Sequence, residues 1–170
     1  VDFPSPQQLQ DALDAYPDVV ERKGVAKLPE LDRWYRDELP ALLSGRDPAH
    51  VTLPELVRVT EWKMARGVWR APNLVLVRGN DPAAVEQTST EALAKAPHPT
   101  APIAHLAKHR AVAPASASAV LAAAGPEVYP FFDEIVAARL PELGAVAWTL
   151  GYYGRYAEAL RRRAAELGGG

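Results

Sequence analysis

Apolar residues recur along this chain at spacings of three and four, and stretches dense in Val, Ile, Thr and Tyr that alternate with period two are missing. Ser5-Pro6 reads as an N-cap and first helical residue. The helix it opens is expected to bury Leu9, Ala12, Leu13 and Tyr16, and Gly24 ends the region. A second helix is predicted after Pro29, with Leu31, Trp34, Tyr35 and Leu39 inward and Pro40 bending or stopping it before the Ser44-Gly45 turn. Thr52-Leu53-Pro54-Glu55 is a capping box. Its helix has Leu53, Val57, Thr60 and Met64 on one side and Val59 and Trp62 nearly opposite, a pattern for a helix placed centrally between layers. Gly67 is its expected stop.

Pro72 starts a short helix through Leu74, Val75 and Val77, and Asn80-Asp81-Pro82 caps another with Val85, Thr88 and Leu93 inward. Pro97-His98-Pro99-Thr100 reads as a stiff internal boundary. The last helix, from about Thr149 to Leu167, carries a seam of Leu150, Tyr153, Ala157, Leu160, Ala164 and Leu167. Arg155, Arg161, Arg162, Arg163 and Glu166 lie off that seam, and Glu158 is placed to pair with Arg162. The helix suits packing back onto its own domain with a solvated basic face or, alternatively, a partner or nucleic-acid surface.

Composition agrees with an all-α fold, a compact array of about eight to ten short helices. The chain is rich in alanine, and its 16 prolines favour first-turn positions. With no cysteine, disulfide frameworks, thiolate metal sites and cysteine nucleophiles are excluded, and an intracellular, reducing compartment is compatible. A net charge of −2, from 19 basic and 21 acidic residues, gives no global positive field. No apolar run reaches the roughly 20 residues of a membrane span, so a soluble protein with no membrane partner is expected. Walker and HExxH motifs are absent, and no cofactor is implied.

The segment carrying chemistry is TAPIAHLAKHRAVAPASASAVLAAAGPEVYPFFDE, residues 100–134. An apolar helix with Ile103 and Leu106 is expected to end at His109-Arg110. The short turn Ala111-Val112-Ala113-Pro114 then leads into a helix over 115–124, with Val112 plugging the joint and alanines permitting a close crossing. This resembles the helix-hairpin-helix motif of the DNA-glycosylase superfamily: an apolar helix, a Gly-apolar-Gly hairpin, then Ala four residues past the second Gly and aliphatic residues at seven and eight. Ala117, Val120 and Leu121 stand at those places counted from Ala113, and both hairpin glycines are alanine here. The superfamily's catalytic Asp lies about twenty residues past the second Gly, where this chain has Asp133. Trp62 to Arg70 (WKMARGVWR) and Pro130 to Asp133 are also similar to a eukaryotic group that has a Gly-Val-Gly-Pro-Ala hairpin and no assigned activity. That likeness spans most of residues 55–165, and the chain is expected to form a glycosylase-like helical domain over 51–170 with an N-terminal helical extension over 1–50, together one compact unit.

The resemblance implies a nucleic-acid-binding protein, on duplex DNA or RNA, with weak or no catalysis. Lys108, Arg110, Ala111, Val112, Ala113 and Ser116 would meet a phosphate, the residues of the turn and helix start through their amides. A residue other than Gly at a positive-φ position costs about 1–2 kcal/mol, so the two alanines fall on the part of the motif that touches nucleic acid. Two alternatives stand: a non-catalytic structural or adaptor subunit meeting a partner through the C-terminal helix, and a monofunctional glycosylase using Asp133. A Schiff-base lyase is excluded, because the Lys expected two residues after the second Gly is Ala115. Asp133 equally suits the cap of a helix starting at Glu134. His105 and His109, four apart, could hold a metal but have no third ligand, so no metal is expected and a solvated helix face is the simpler assignment. The basic-aromatic group Lys63, Arg66, Arg70 and Arg78 with Trp62 and Trp69 could stack bases. It equally suits core tryptophans, with arginines paired to Glu55 and Glu61.

Overall fold

The computed structural model describes residues 3–168, and every regular element among them is helical. In chain order these are α1 (Pro6–Arg22), α2 (Leu28–Arg33), a π-helical turn (Trp34–Glu38), α3 (Leu39–Ser44), α4 (Leu53–Arg66), α5 (Ala71–Arg78) and α6 (Pro82–Leu93). They continue with α7 (Ala101–Leu106), α8 (Pro114–Ala124), α9 (Glu134–Ala137), a 3₁₀ turn (Pro141–Leu143) and α10 (Leu150–Glu166). The all-α expectation holds, with ten α-helical segments among the described residues. Proline sits in the first turn of α1 through α8, where its missing N–H leaves no helical bond unmade.

Two helices organise the interior. α4, opened by the Thr52–Glu55 capping box, packs against α2, α5, α6 and α8 and buries Leu56, Val59, Trp62 and Met64. Only Leu53 and Val57 of its expected face remain half-exposed. α8 is buried on nearly every side, from Ala115 to Leu121 and again at Ala123, because its alanines and serines let neighbours approach on all faces. Its two interior hydroxyls are bonded or covered: Ser118 donates to the Ala115 carbonyl (2.7 Å) and accepts the Phe132 amide (2.9 Å).

Several expectations are corrected. α1 does not bury its stripe: Leu9 and Leu13 are 40% and 52% exposed, and Val20 is its one fully buried side chain. The helix leans on α2, and its residues from Pro6 to Ala15 are exposed. Pro40 does not end its helix, because the π turn widens the backbone ahead of it. Leu39 N–H bonds Trp34 C=O, five residues back, so no four-residue bond is demanded of Pro40. In α6 Val85 is buried as expected, but the other buried positions are Ser89 and Ala92, with Thr88 and Leu93 half-buried. The rotation lets the Ser89 hydroxyl take the Val51 amide (3.0 Å) and reach its carbonyl (3.3 Å).

The last helix is also turned relative to its expected seam. α10 buries Tyr152, Tyr153, Tyr156, Ala157 and Ala159, while Leu150 and Leu167 stay partly exposed. The phenols set this rotation: Tyr153 and Tyr156 donate to the carbonyls of Pro130 (3.1 Å) and Phe131 (2.7 Å). The Phe132 ring packs among Trp148, Tyr152, Tyr153 and Tyr156. Arg161 is part of the fold, bonding the carbonyls of Val128 (2.8 Å) and Pro97 (2.9 Å). No Glu158–Arg162 pair forms among the described residues; Arg163 pairs with Glu142 instead (3.3 Å). Gly154 allows the close approach of α10 to the 97–100 corner, since a Cβ there would meet Thr100 Cγ2 at 2.7 Å. That corner is held further by Tyr129, whose hydroxyl donates to His98 C=O (2.8 Å).

Candidate functional site

The sequence puts its candidate residues around the joint between α7 and α8, and the structure breaks the chain there into two helices. α7 stops at Leu106, three residues earlier than its stripe suggests, and residues 107–113 form the turn. Val112 is buried at 4% exposure, so its side chain is the plug and only its backbone faces the turn. Ala111 has φ 59°, the one positive φ outside glycine among the described residues. Ala113 is extended (φ −91°, ψ 174°) and caps α8 without a side-chain bond. The amides of Ala113, Ala115 and Ser116 therefore have no protein acceptor among the described residues. The Ser116 side chain is buried under the first turn.

Lys108 and Arg110 stand on the solvent side of this turn, and neither joins an ion pair with a carboxylate among the described residues. Arg110 is positioned through its backbone by Asn80, a residue whose role the sequence does not betray. The Asn80 amide group accepts from Arg110 N–H (2.9 Å) and donates to Arg110 C=O (3.1 Å). The carboxamide has the geometry of a backbone pair, so it clamps an otherwise irregular segment to the end of α5. Beside Lys108, His105 Nε2 lies 2.7 Å from Glu91 Oε2, and Lys108 Nζ lies 3.3 Å from His105 Nδ1. Hydrogen bonds from Gln87 and His105 hold the Glu91 carboxyl below its ordinary range.

The two histidines do not share a helix face, because α7 ends between them. Both ring nitrogens of His105 are engaged by neighbours, and His109 is half-buried in the turn with Nε2 unpartnered. Burial first, then His105, pushes the His109 imidazole below its ordinary value. Among the described residues no group of three or more His, Asp or Glu is arranged to hold a metal.

Asp133 is the N-cap of α9. Its Oδ1 accepts the amides of Ile135 (2.7 Å) and Val136 (3.2 Å). The site it borders is aromatic, since Phe132 precedes it and Tyr156 lies close beneath.

The basic-aromatic group separates. Trp62 is core and Arg78 pairs with Glu61 (3.6 Å), whereas Glu55 pairs with Arg46 (2.6 Å), outside the group. Trp69 is half-exposed, and burial next to Arg70 lowers the Lys63 ammonium. Arg66 lies over the rings of Trp62 and Phe131.

No family model, curated protein or solved structure matches this chain. No helix among the described residues is long and apolar enough to cross a membrane. The chemistry of the site therefore has to be argued from its own geometry.

Proposed function

We propose that this protein binds the phosphate backbone of a duplex nucleic acid, DNA or RNA, through the turn between α7 and α8. The observation that carries the reading is the backbone of Ala111. It occupies a left-handed conformation at the position where the resembled hairpin has its first glycine, although alanine is disfavoured there. A turn of that shape next to an uncapped helix start leaves amides free for a phosphate oxygen, and the helix dipole adds to the attraction. Lys108 and Arg110 supply unpaired positive charge on the same surface. The contacts are to backbone phosphate, so the reading implies little sequence preference.

In this reading Asp133 is a helix cap and no catalysis is assigned to it. Nor does this reading assign a partner to the C-terminal helix, whose seam residues Tyr153 and Ala157 are covered from within.

Fluorescence anisotropy of labelled duplex DNA and duplex RNA across a salt series tests the proposal. Binding should be measurable at about 50 mM salt and fall linearly on a log–log plot. Lys108→Ala should weaken it and flatten the salt slope by about one. Absence of binding at low salt, or a slope untouched by Lys108→Ala and Arg110→Ala alike, would overturn the proposal.

A further inference from the structure

At the opposite end of α8, about 16 Å from the turn by helical rise, lies a second feature, open to solvent, that the nucleic-acid reading does not use. A cavity of about 380 Å³ opens between α1, the π turn, α4 and the residues following α8. Its walls are the rings of Tyr16, Tyr35, Trp62 and Phe131. Tyr35 and Trp62 are stacked at 3.6 Å between centroids, and Phe131 meets Trp62 edge-on. Two guanidinium groups, those of Arg36 and Arg66, complete the lining, and no carboxylate lines it.

The rings are fixed in place by a buried acid behind them. Asp32 Oδ1 accepts from Tyr16 OH and Trp62 Nε1, both at 3.0 Å, and Tyr35 donates to Ala119 C=O at 2.6 Å. Asp32 also lies 3.9 Å from Arg36. Arg66 has no ion pair among the described residues and sits over the Trp62 and Phe131 rings instead. One carboxylate thus faces two guanidiniums, which leaves the cavity with a net positive charge between apolar walls. Such walls strengthen the attraction for an anion.

We infer that this cavity binds a small planar aromatic acid, its ring at the half-buried Tyr16 and Phe131 and its acidic group on Arg66. The volume lies at the small end of known ligand sites and suits one or two fused rings. Arginine is matched to the acidic group because its planar fork meets either carboxylate or phosphate with two parallel bonds. The inference does not rest on the nucleic-acid reading.

Calorimetric titration of the full chain with naphthoate and its neutral amide, and with adenosine monophosphate and adenosine, tests it. At least one acid should saturate and bind about 10- to 100-fold tighter than its neutral partner. Which pair shows the preference tells carboxylate from phosphate as the acidic group. Arg66→Gln should abolish the preference. Leu13→Trp, at a half-exposed residue on the cavity rim, should block binding without disturbing the core. Lys108→Ala should leave both results unchanged. Failure of both acids to saturate, equal affinity for acid and neutral partner, or binding lost in Lys108→Ala but kept in Arg66→Gln would each overturn the inference.

Discussion

The two ends of α8 treat their polar groups in opposite ways. At the far end, the phenol, indole and guanidinium groups around the aromatic cavity are tied to Asp32, to Ala119 C=O or to a neighbouring ring. At the near end, Ala111 holds a backbone that suits glycine, three amides have no protein acceptor among the described residues, and neither Lys108 nor Arg110 pairs with a carboxylate there. The first arrangement is one that folding itself rewards, because an unpaired buried polar group is costly. The second gains nothing within the chain. The donors bonded to Asp32 and to Ala119 C=O should therefore answer to stability measurements, and Lys108 and Arg110 to nucleic-acid binding measurements.

Asp32→Ala gives that contrast its hardest test. The substitution removes the acceptor of two buried or half-buried donors, Tyr16 OH and Trp62 Nε1, and leaves Arg36 without its nearest acid. A loss of about 3 kcal/mol in urea-denaturation stability is expected. Lys108→Ala, at an exposed site, should stay within about 0.5 kcal/mol. Comparable losses from the two variants would erase the distinction between the ends.

Most of the near end was legible in the sequence and most of the far end was not. Pro114 announces the start of α8, Val112 is the only bulky residue of the turn, and Asp133 has the signature of a cap. These are local signals, carried by residues next to one another. The cavity depends on residues from Leu13 to Phe131 converging in space, and no spacing rule joins Asp32 to Trp62 or Tyr35 to Ala119. Asn80 escaped for the same reason: a carboxamide that clamps Arg110 thirty residues away looks, in sequence, like part of the turn before α6. The stripe on α1 misled because periodicity shows which face can be buried, and only a neighbouring element decides whether it is. The rotated faces of α6 and α10 have a related cause. There hydroxyl hydrogen bonds, to Val51 and to the 130–131 loop, fixed the helix azimuth.

The alanines of the turn separate strain from mere exposure. Ala111→Gly relieves a positive φ and should raise stability by about 1 kcal/mol, read from the urea midpoint at unchanged slope. Ala113→Gly acts on an extended residue with no strain to relieve. Its greater unfolded-state freedom opposes easier hydration of the open amides, so the net change should stay within about 0.5 kcal/mol. Equal gains from both would mean that hydration of the helix start, rather than backbone strain, limits the turn.

The smallest expected effect concerns acid. His109 carries the one buried imidazole nitrogen of the near end, Nε2, without a partner, and burial holds its pKa below the ordinary 6.5. A depressed histidine pKa means that the unfolded chain takes the proton more readily than the folded one. Stability from this source is whole above about 6.5 and declines as the pH falls below it. The neighbouring charged or titratable groups are Lys108, Arg110, His105 and Glu91, and the influence of His105 on His109 acts in the same direction as burial. No histidine lines the aromatic cavity, so the decline should be local. Amide hydrogen exchange between pH 7.5 and 5.5, corrected for intrinsic rates, should show residues 107–113 losing protection relative to residues 119–123, and His109→Asn should remove most of that difference. A uniform loss along α8, unaffected by His109→Asn, would mean that the two ends open together and that their polar chemistry is not independently tuned.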